Sequence, residues 1–207
     1  MSEISVNMEP TKSKIAVFDF DGTLTTRDTM FDFIGFACGK FRLYIGLVLF
    51  APVIAVMFMK IIDNNRCKQM LLSWYFKGMT YERFKNLGEA YSTRAKTLLR
   101  GSTLHLLKQR QYEGCKVYVV SASIKEWVAP VCRKLGVADV LATEFEVDAD
   151  GILTGRFSVH NCFGQEKVNR LLKVEPCREK YYLYAYGDSR GDREMFEFAD
   201  DFLKINR

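Results

Sequence analysis

The stretch Ala16–Thr26, AVFDFDGTLTT, ends an apolar run with two aspartates, Asp19 and Asp21, and then a glycine. Carboxylates that close repel each other unless a cation or a shared proton relieves them. Side chains two apart on a strand share a face, so the two can converge on one point. A third carboxylate, Asp188, follows the aromatic run YYLYAYG. Three hard oxygen donors with no soft ligand among them suit Mg²⁺, which takes a few carboxylates together with water and substrate phosphate. A carboxylate held beside Mg²⁺ can attack phosphorus and form an aspartyl-phosphate. Such a reaction needs positive charge and hydrogen-bond donors around the transferring oxygens. Lys167, in FGQEKVN, can supply the charge, and the Ser121 hydroxyl with nearby backbone N–H groups, Ala122 among them, the donors. Gly22 permits a sharp turn that brings backbone close to a phosphate. Asp21, freed from nucleophilic duty, can protonate the leaving alcohol and later activate water. Each of these residues alone also reads as a turn, a cap or a solvated side chain; the set, in this order, reads as a site.

Such a site needs elements that bring distant residues to one edge. KIAVFDF (14–20), KVYVVSAS (116–123), VADVLATEFEV (137–147), YYLYAYGDS (181–189) and DFLKIN (201–206) are short, apolar and rich in strand formers. Helical patterns lie between them, at about 95–113, 124–135, 165–174 and 191–199. Strands alternating with helices predict an α/β fold whose parallel sheet is covered on both faces. Ligands of such sheets bind at the carboxyl ends of the strands, where Asp19, Asp21, Ser121 and Asp188 stand. VDADGILTGRF (147–157) reads as a hairpin turning at Asp150-Gly151. Residues 27–100 hold no convincing strand and read as a helical insertion. The expected division is therefore a core of 1–26 and 101–207 and a helical cap of 27–100.

Composition sets the outer bounds. The chain has 207 residues, 48% hydrophobic and 27% charged, which is globular composition. The net charge of +5 favours anionic partners, and the insertion alone carries 12 Lys+Arg against 5 Asp+Glu. No nucleic-acid partner is expected. The six cysteines show no zinc spacing and read as reduced thiols, and the polar N-terminus shows no secretory signal, so a cytoplasmic setting is expected. His105 and His160 stand outside the acidic motifs and are not expected to act as nucleophile or base.

DFDGT, VVSAS, GQEK and GDSRGD, spread over residues 19–192, resemble the four motifs of the haloacid dehalogenase superfamily. The resemblance implies a Rossmann-like core and a Mg²⁺-dependent phosphomonoester hydrolase. It implies Asp19 as nucleophile, Asp21 as acid/base, and Mg²⁺ held by Asp19, the Asp21 carbonyl and Asp188. It further implies phosphoryl binding by Ser121 and Lys167, with Asp192 supporting the metal site from behind. A helical cap between the first two motifs is similar to the phosphoserine phosphatase-like subclass. The chain departs from phosphoserine phosphatases where Gly22 replaces a serine and where Ala122 and Ser123 replace two glycines. Asp28 stands in place of a cap glutamate, and Arg66 is matched to the cap arginine.

LYIGLVLFAPVIAVMFM (43–59) carries no charge over 17 residues. At about 1.5 Å per residue it is barely long enough to cross a ~30 Å hydrocarbon layer. Pro52 in its middle is expected to kink or split it. Two readings stay open: a buried helical hairpin filling the cap, or an element that meets the inner face of a membrane between basic flanks. With those flanks and GQEK, the run resembles the membrane-linked phosphatidylglycerophosphate phosphatase of the subclass, which implies a lipid-like phosphate. The rival readings are a phosphatase of a small soluble metabolite such as phosphoserine, a phosphotransferase, or a non-catalytic regulatory binding protein.

Overall fold

A computed structural model describes residues 12–59 and 61–206. The polar N-terminal stretch read above for a secretory signal lies mostly outside them, as does Lys60, one of the two basic flanks of the apolar run.

Strand β1 (Ser13–Phe18) is the centre of the sheet, with β2 (Lys116–Ile124) on one side and β6 (Tyr181–Gly187) on the other. Beyond them lie β3 (Asp139–Thr143) and β7 (Asp201–Lys204), giving the order β3-β2-β1-β6-β7 with every pairing parallel. Residues of β1 alternate between two cores. Ala16 and Phe18 face Leu107 of α5 (Gly101–Tyr112) and Trp127, Val128 and Val131 of α6 (Lys125–Cys132). Ile15 and Val17 face Val168 and Leu171 of α7 (Gln165–Val174) and Met195 of α8 (Arg193–Phe198). Burial on both faces is why the strand reads as an unbroken apolar run. Phe18 pairs with Val119 and Tyr186, so the three central strands end close together and the residues that follow them meet at one edge.

The insertion folds as α1 (Met30–Cys38), α2 (Lys40–Phe58), α3 (Asn64–Phe76) and α4 (Tyr81–Ala95). Asp63 and Thr80 cap α3 and α4 by accepting the backbone N–H groups of Arg66 and Arg83. Phe33 packs its ring against Phe76, Phe84, Tyr91 and Trp127, the last a residue of α6, so the apolar interior of the insertion is continuous with that of the sheet. The two stems of the insertion are tied by Thr26 N–H to the Leu98 carbonyl and Arg100 N–H to the Leu24 carbonyl, both 2.8 Å.

Three expectations change. The run 137–147 is not one strand; it breaks at Glu144 into β3 and β4 (Phe145–Val147), and β4 pairs antiparallel with β5 (Leu153–Phe157). This hairpin, which turns at Gly151 with φ +75°, lies against α3 and takes three backbone hydrogen bonds through Gly78, Met79 and Tyr81. Second, the helical pattern 95–113 starts regular α-helix only at Gly101, because Leu99 and Arg100 are extended. Third, Pro52 does not split the apolar run: α2 is one helix of 19 residues, and among its described residues only Gly46 is buried. Pro52 and Val48, whose carbonyl loses its helical partner, are both exposed. The run therefore does not fill the interior of the insertion.

Gly88 of α4 meets the backbone of α6 so closely that a Cβ would overlap the Glu126 carbonyl oxygen. Gly88→Ala must push α4 off α6, against the gain in helix propensity. Urea unfolding is expected to show a loss of about 1–3 kcal/mol, the usual range for overpacking.

Candidate active site

Asp19 follows the last residue of β1, and its N–H still bonds the Tyr186 carbonyl at 2.8 Å. Asp188 follows β6, and Asp192 lies in the short turn Arg190–Asp192 that leads into α8. All three are buried. Among the described residues, one carboxylate oxygen from each lies within 4.8 Å of the others. The Thr23 hydroxyl stands between Asp19 and Asp188, 3.4 Å from an oxygen of each.

Lys167 on the first turn of α7 enters this acidic group. Its Nζ donates to Asp19 Oδ1 at 2.6 Å and to Asp192 Oδ1 at 2.5 Å. Burial works against its charge, but the two carboxylates outweigh that and hold it above the ordinary lysine range. Burial likewise opposes the charge of Asp192, yet Lys167 and the N–H and O–H of Ser189 keep that carboxyl below its usual value. Asp19 goes the other way. Burial pushes it up to about 7, with Lys167 pulling down and Asp192 and Asp21 adding to the rise. A carboxylate left this costly to ionise gains from a further cation.

Asp21 turns its carboxylate away from that group. Oδ1 accepts Thr29 N–H at 2.7 Å and Thr29 O–H at 2.6 Å; Oδ2 accepts Ser123 O–H at 2.5 Å. Burial raises its pKa, as does Asp28, against these donors. Gly22 takes φ +80°, which a glycine adopts without strain, and its N–H donates to Thr25 Oγ1. Ser121 is fully buried, and its Oγ accepts the Ser123 N–H at 3.0 Å.

Asp19, Asp21, Ala122, Ser123 and Lys167 open onto a cavity of about 390 Å³. Its opposite wall is apolar and comes from the insertion: Met30, Phe31, Ile54, Met57, Phe58 and Leu71. Asp28 lines it too, while also accepting the Met30 N–H. Arg66 does not line this cavity; its side chain is 78% exposed and pairs with Asp63. Lys68 lines it instead. Its Nζ donates to the Ala122 carbonyl at 2.8 Å, and burial lowers its pKa although Asp21, Asp28 and Asp19 resist. Sequence reasoning missed Lys68, although the spacing was readable once α3 is a helix. Asn64, Lys68 and Leu71 share one face, and Arg66 lies about 200° round from Lys68. Thr29 and Ser123 were also missed, since neither residue type stands out without its partner.

The sheet, the acids at its carboxyl edge and the lysine beside them define a hydrolase of the haloacid dehalogenase kind. The family model described as haloacid dehalogenase-like hydrolase matches residues 16–197, and the chain belongs to that family. The chain is 33% identical over 191 residues to Protein CicA of Caulobacter vibrioides, covering 90% of this chain and 83% of that one. A crystal structure of a protein of unknown function from Bordetella pertussis superposes with TM-score 0.77 at 19% identity, over 94% of this chain and 90% of that one. A phospho-aspartyl intermediate analogue of phosphoserine phosphatase superposes with TM-score 0.61 at 20% identity, over 95% of each chain. These two likenesses speak for the fold.

The residues present fit Mg²⁺. The donors that converge are carboxylate oxygens, with neither imidazole nor thiol among them. Asp192 accepts from Lys167, the Asp188 and Ser189 N–H groups and the Ser189 hydroxyl.

Stability is expected to depend on pH and metal together. Asp19 has its folded pKa raised from 3.8 to about 7, so in EDTA its contribution to stability is lost as pH rises between those values. Urea titrations are expected to show that Asp19→Asn removes this part of the slope. Adding Mg²⁺ should raise the melting temperature of the parent above pH 7 and leave that of Asp188→Asn unmoved.

Proposed function

We propose that this enzyme hydrolyses phosphomonoesters through a phosphoaspartyl intermediate on Asp19. The contact between Asp19 Oδ1 and Lys167 Nζ, at 2.6 Å inside the acidic group, carries the reading. It leaves one face of a buried carboxylate to attack and fixes a cation where phosphoryl charge arrives. Asp19 attacks phosphorus, and the bond to the ester oxygen breaks with its electron pair staying on that oxygen. Asp21, held apart by Thr29 and Ser123, gives the leaving oxygen its proton. Water then attacks the phosphoaspartate, passing a proton to Asp21 and releasing phosphate and the Asp19 carboxylate. The Ser121 hydroxyl, whose oxygen already accepts from Ser123, keeps its proton for the phosphoryl group. Mg²⁺, held by Asp19, Asp188 and the Asp21 carbonyl, would supply charge neutralisation for the phosphoryl oxygens. The phosphatase names borne by the compared structure and by a relative in Mycobacterium tuberculosis, called a probable phosphatase, support the same class.

Choice of substrate falls to the insertion, residues 27–100. A cavity with an acidic, lysine-bearing floor and a wall of Ile54, Met57 and Phe58 suits a phosphate on an apolar body. The outer side of α2 is apolar and bare, with Phe41 82% and Val48 74% exposed, and Phe58 belongs both to this surface and to the cavity. We read α2 as the element that meets the inner surface of a membrane, and a phosphatidylglycerophosphate-like lipid as the substrate. The rival is a small soluble phosphate such as phosphoserine, favoured by the name of the compared structure.

Asp19→Asn is expected to abolish turnover, because an amide cannot form the acyl-phosphate; turnover within about tenfold of the parent sinks the covalent mechanism. On substrates, detergent-dispersed lipid phosphate should be hydrolysed faster than phosphoserine. Val48→Lys, a change at an exposed position, should cut activity on vesicle-borne lipid phosphate by about tenfold or more and leave p-nitrophenyl phosphate hydrolysis near the parent value. A parent enzyme that prefers phosphoserine refutes the lipid reading.

A further inference from the structure

The two oxygens of the Asp21 carboxylate are held by different elements, neither of which carries Asp19, Asp188 or Asp192. Both donors to Oδ1 come from Thr29, at the entry to α1, and the Thr29 hydroxyl is itself oriented by accepting Trp127 Nε1–H at 3.2 Å. Oδ1 thus accepts two hydrogen bonds, the number its lone pairs offer. Oδ2 has one donor, the Ser123 hydroxyl at 2.5 Å, and keeps a lone pair. A proton carried by this carboxyl therefore sits on Oδ2. Ser123 is 1% exposed at the end of β2 and lines the cavity. Its N–H donates to Ser121 Oγ at 3.0 Å, so one residue fixes both the rotor of Ser121 and the aim of Asp21.

We propose that Ser123 is a positioning residue, orienting Asp21 Oδ2 so that the proton it carries points at the leaving oxygen of the substrate. The inference rests on the phosphatase reading. In the first half of the reaction the P–O ester bond breaks, its electron pair goes to the leaving oxygen, and the Oδ2 proton follows. In the second half, water gives that proton back to the same oxygen. In both halves the Ser123 hydroxyl donates to the remaining lone pair of Oδ2 and is not itself consumed. Pinning the carboxyl from opposite sides by Thr29 and Ser123 prevents the rotation that would exchange Oδ1 for Oδ2.

Such a role separates substrates by how much help their leaving group needs. A nitrophenolate leaves without a proton, whereas an alkoxide does not. The test is the ratio of kcat/KM for an alkyl phosphate, glycerol phosphate, to that for p-nitrophenyl phosphate, since kcat/KM reports the steps up to leaving-group departure. Ser123→Ala and Ser123→Gly, both of which keep the N–H to Ser121, are expected to lower this ratio by about tenfold or more, part of the 10²–10⁴ that general acid catalysis supplies. Ser123→Thr, which keeps the hydroxyl, should hold the ratio within about threefold of the parent. A ratio that stays within about threefold in both the Ala and Gly variants, or a Thr variant that falls with them, overturns the positioning role. A parent enzyme that turns over neither substrate removes the phosphatase reading itself, and the inference falls with it.

Discussion

The structure depends on keeping several carboxylates buried at the end of a central strand. Asp19, Asp188 and Asp192 are buried at the carboxyl edge of the sheet, and among the described residues Lys167 places the formal positive charge between Asp19 and Asp192. Taking one partner from a buried ion pair typically costs about 3–5 kcal/mol, because the other charge is left stranded. Much of the local architecture follows from avoiding that. Lys167 lies on the first turn of α7; the Ser189–Asp192 turn brings its own N–H groups and hydroxyl to Asp192; Thr23 spans Asp19 and Asp188. The charge balance holds two carboxylates with one lysine between them, and the third keeps the group acidic. The donors of such a group fit a divalent cation.

How much of this was legible in the sequence depended on whether a residue works through its own type or through a partner. Asp19, Asp188 and Lys167 could be read because strands of this apolarity must be central, and polar residues at their ends must meet. The parallel sheet and its order of elements followed from the same alternation. Residues whose position comes from a helix face could not be placed from charge alone. Arg66 looked suitable by charge, yet it lies on the solvent side of α3 while Lys68, two positions on, turns inward. Ser123 and Thr29 are ordinary residues until folding brings them to Asp21 across 102 and 8 positions. The break at Glu144 was hidden because an apolar run gives no sign of where it leaves one sheet for another.

The apolar helix α2 illustrates the limit of composition as a guide. A run of this length and character is equally consistent with an interior helix and one that faces lipid. Packing decides between interior and surface, and here it leaves the helix at the surface. Gly46 alone is buried, where the ring of Tyr75 lies against the helix backbone and its hydroxyl donates to the Leu43 carbonyl at 2.9 Å. The inner side of its last turns is committed to the cavity through Ile54, Met57 and Phe58.

The hairpin β4–β5 has a mechanical consequence. An insertion joined to its core by two stems is free, in principle, to swing about them like a door on one hinge line. Here a third fastening lies away from that line, where Gly78 and Tyr81 donate to the Leu153 and Gly151 carbonyls and Leu153 donates to the Met79 carbonyl. Swinging α3 and α4 outward would break all three bonds and uncover the aromatic cluster around Phe33. The door is therefore latched on both edges. None of the three bonds involves α2, so a displacement of that helix alone would leave the latch intact.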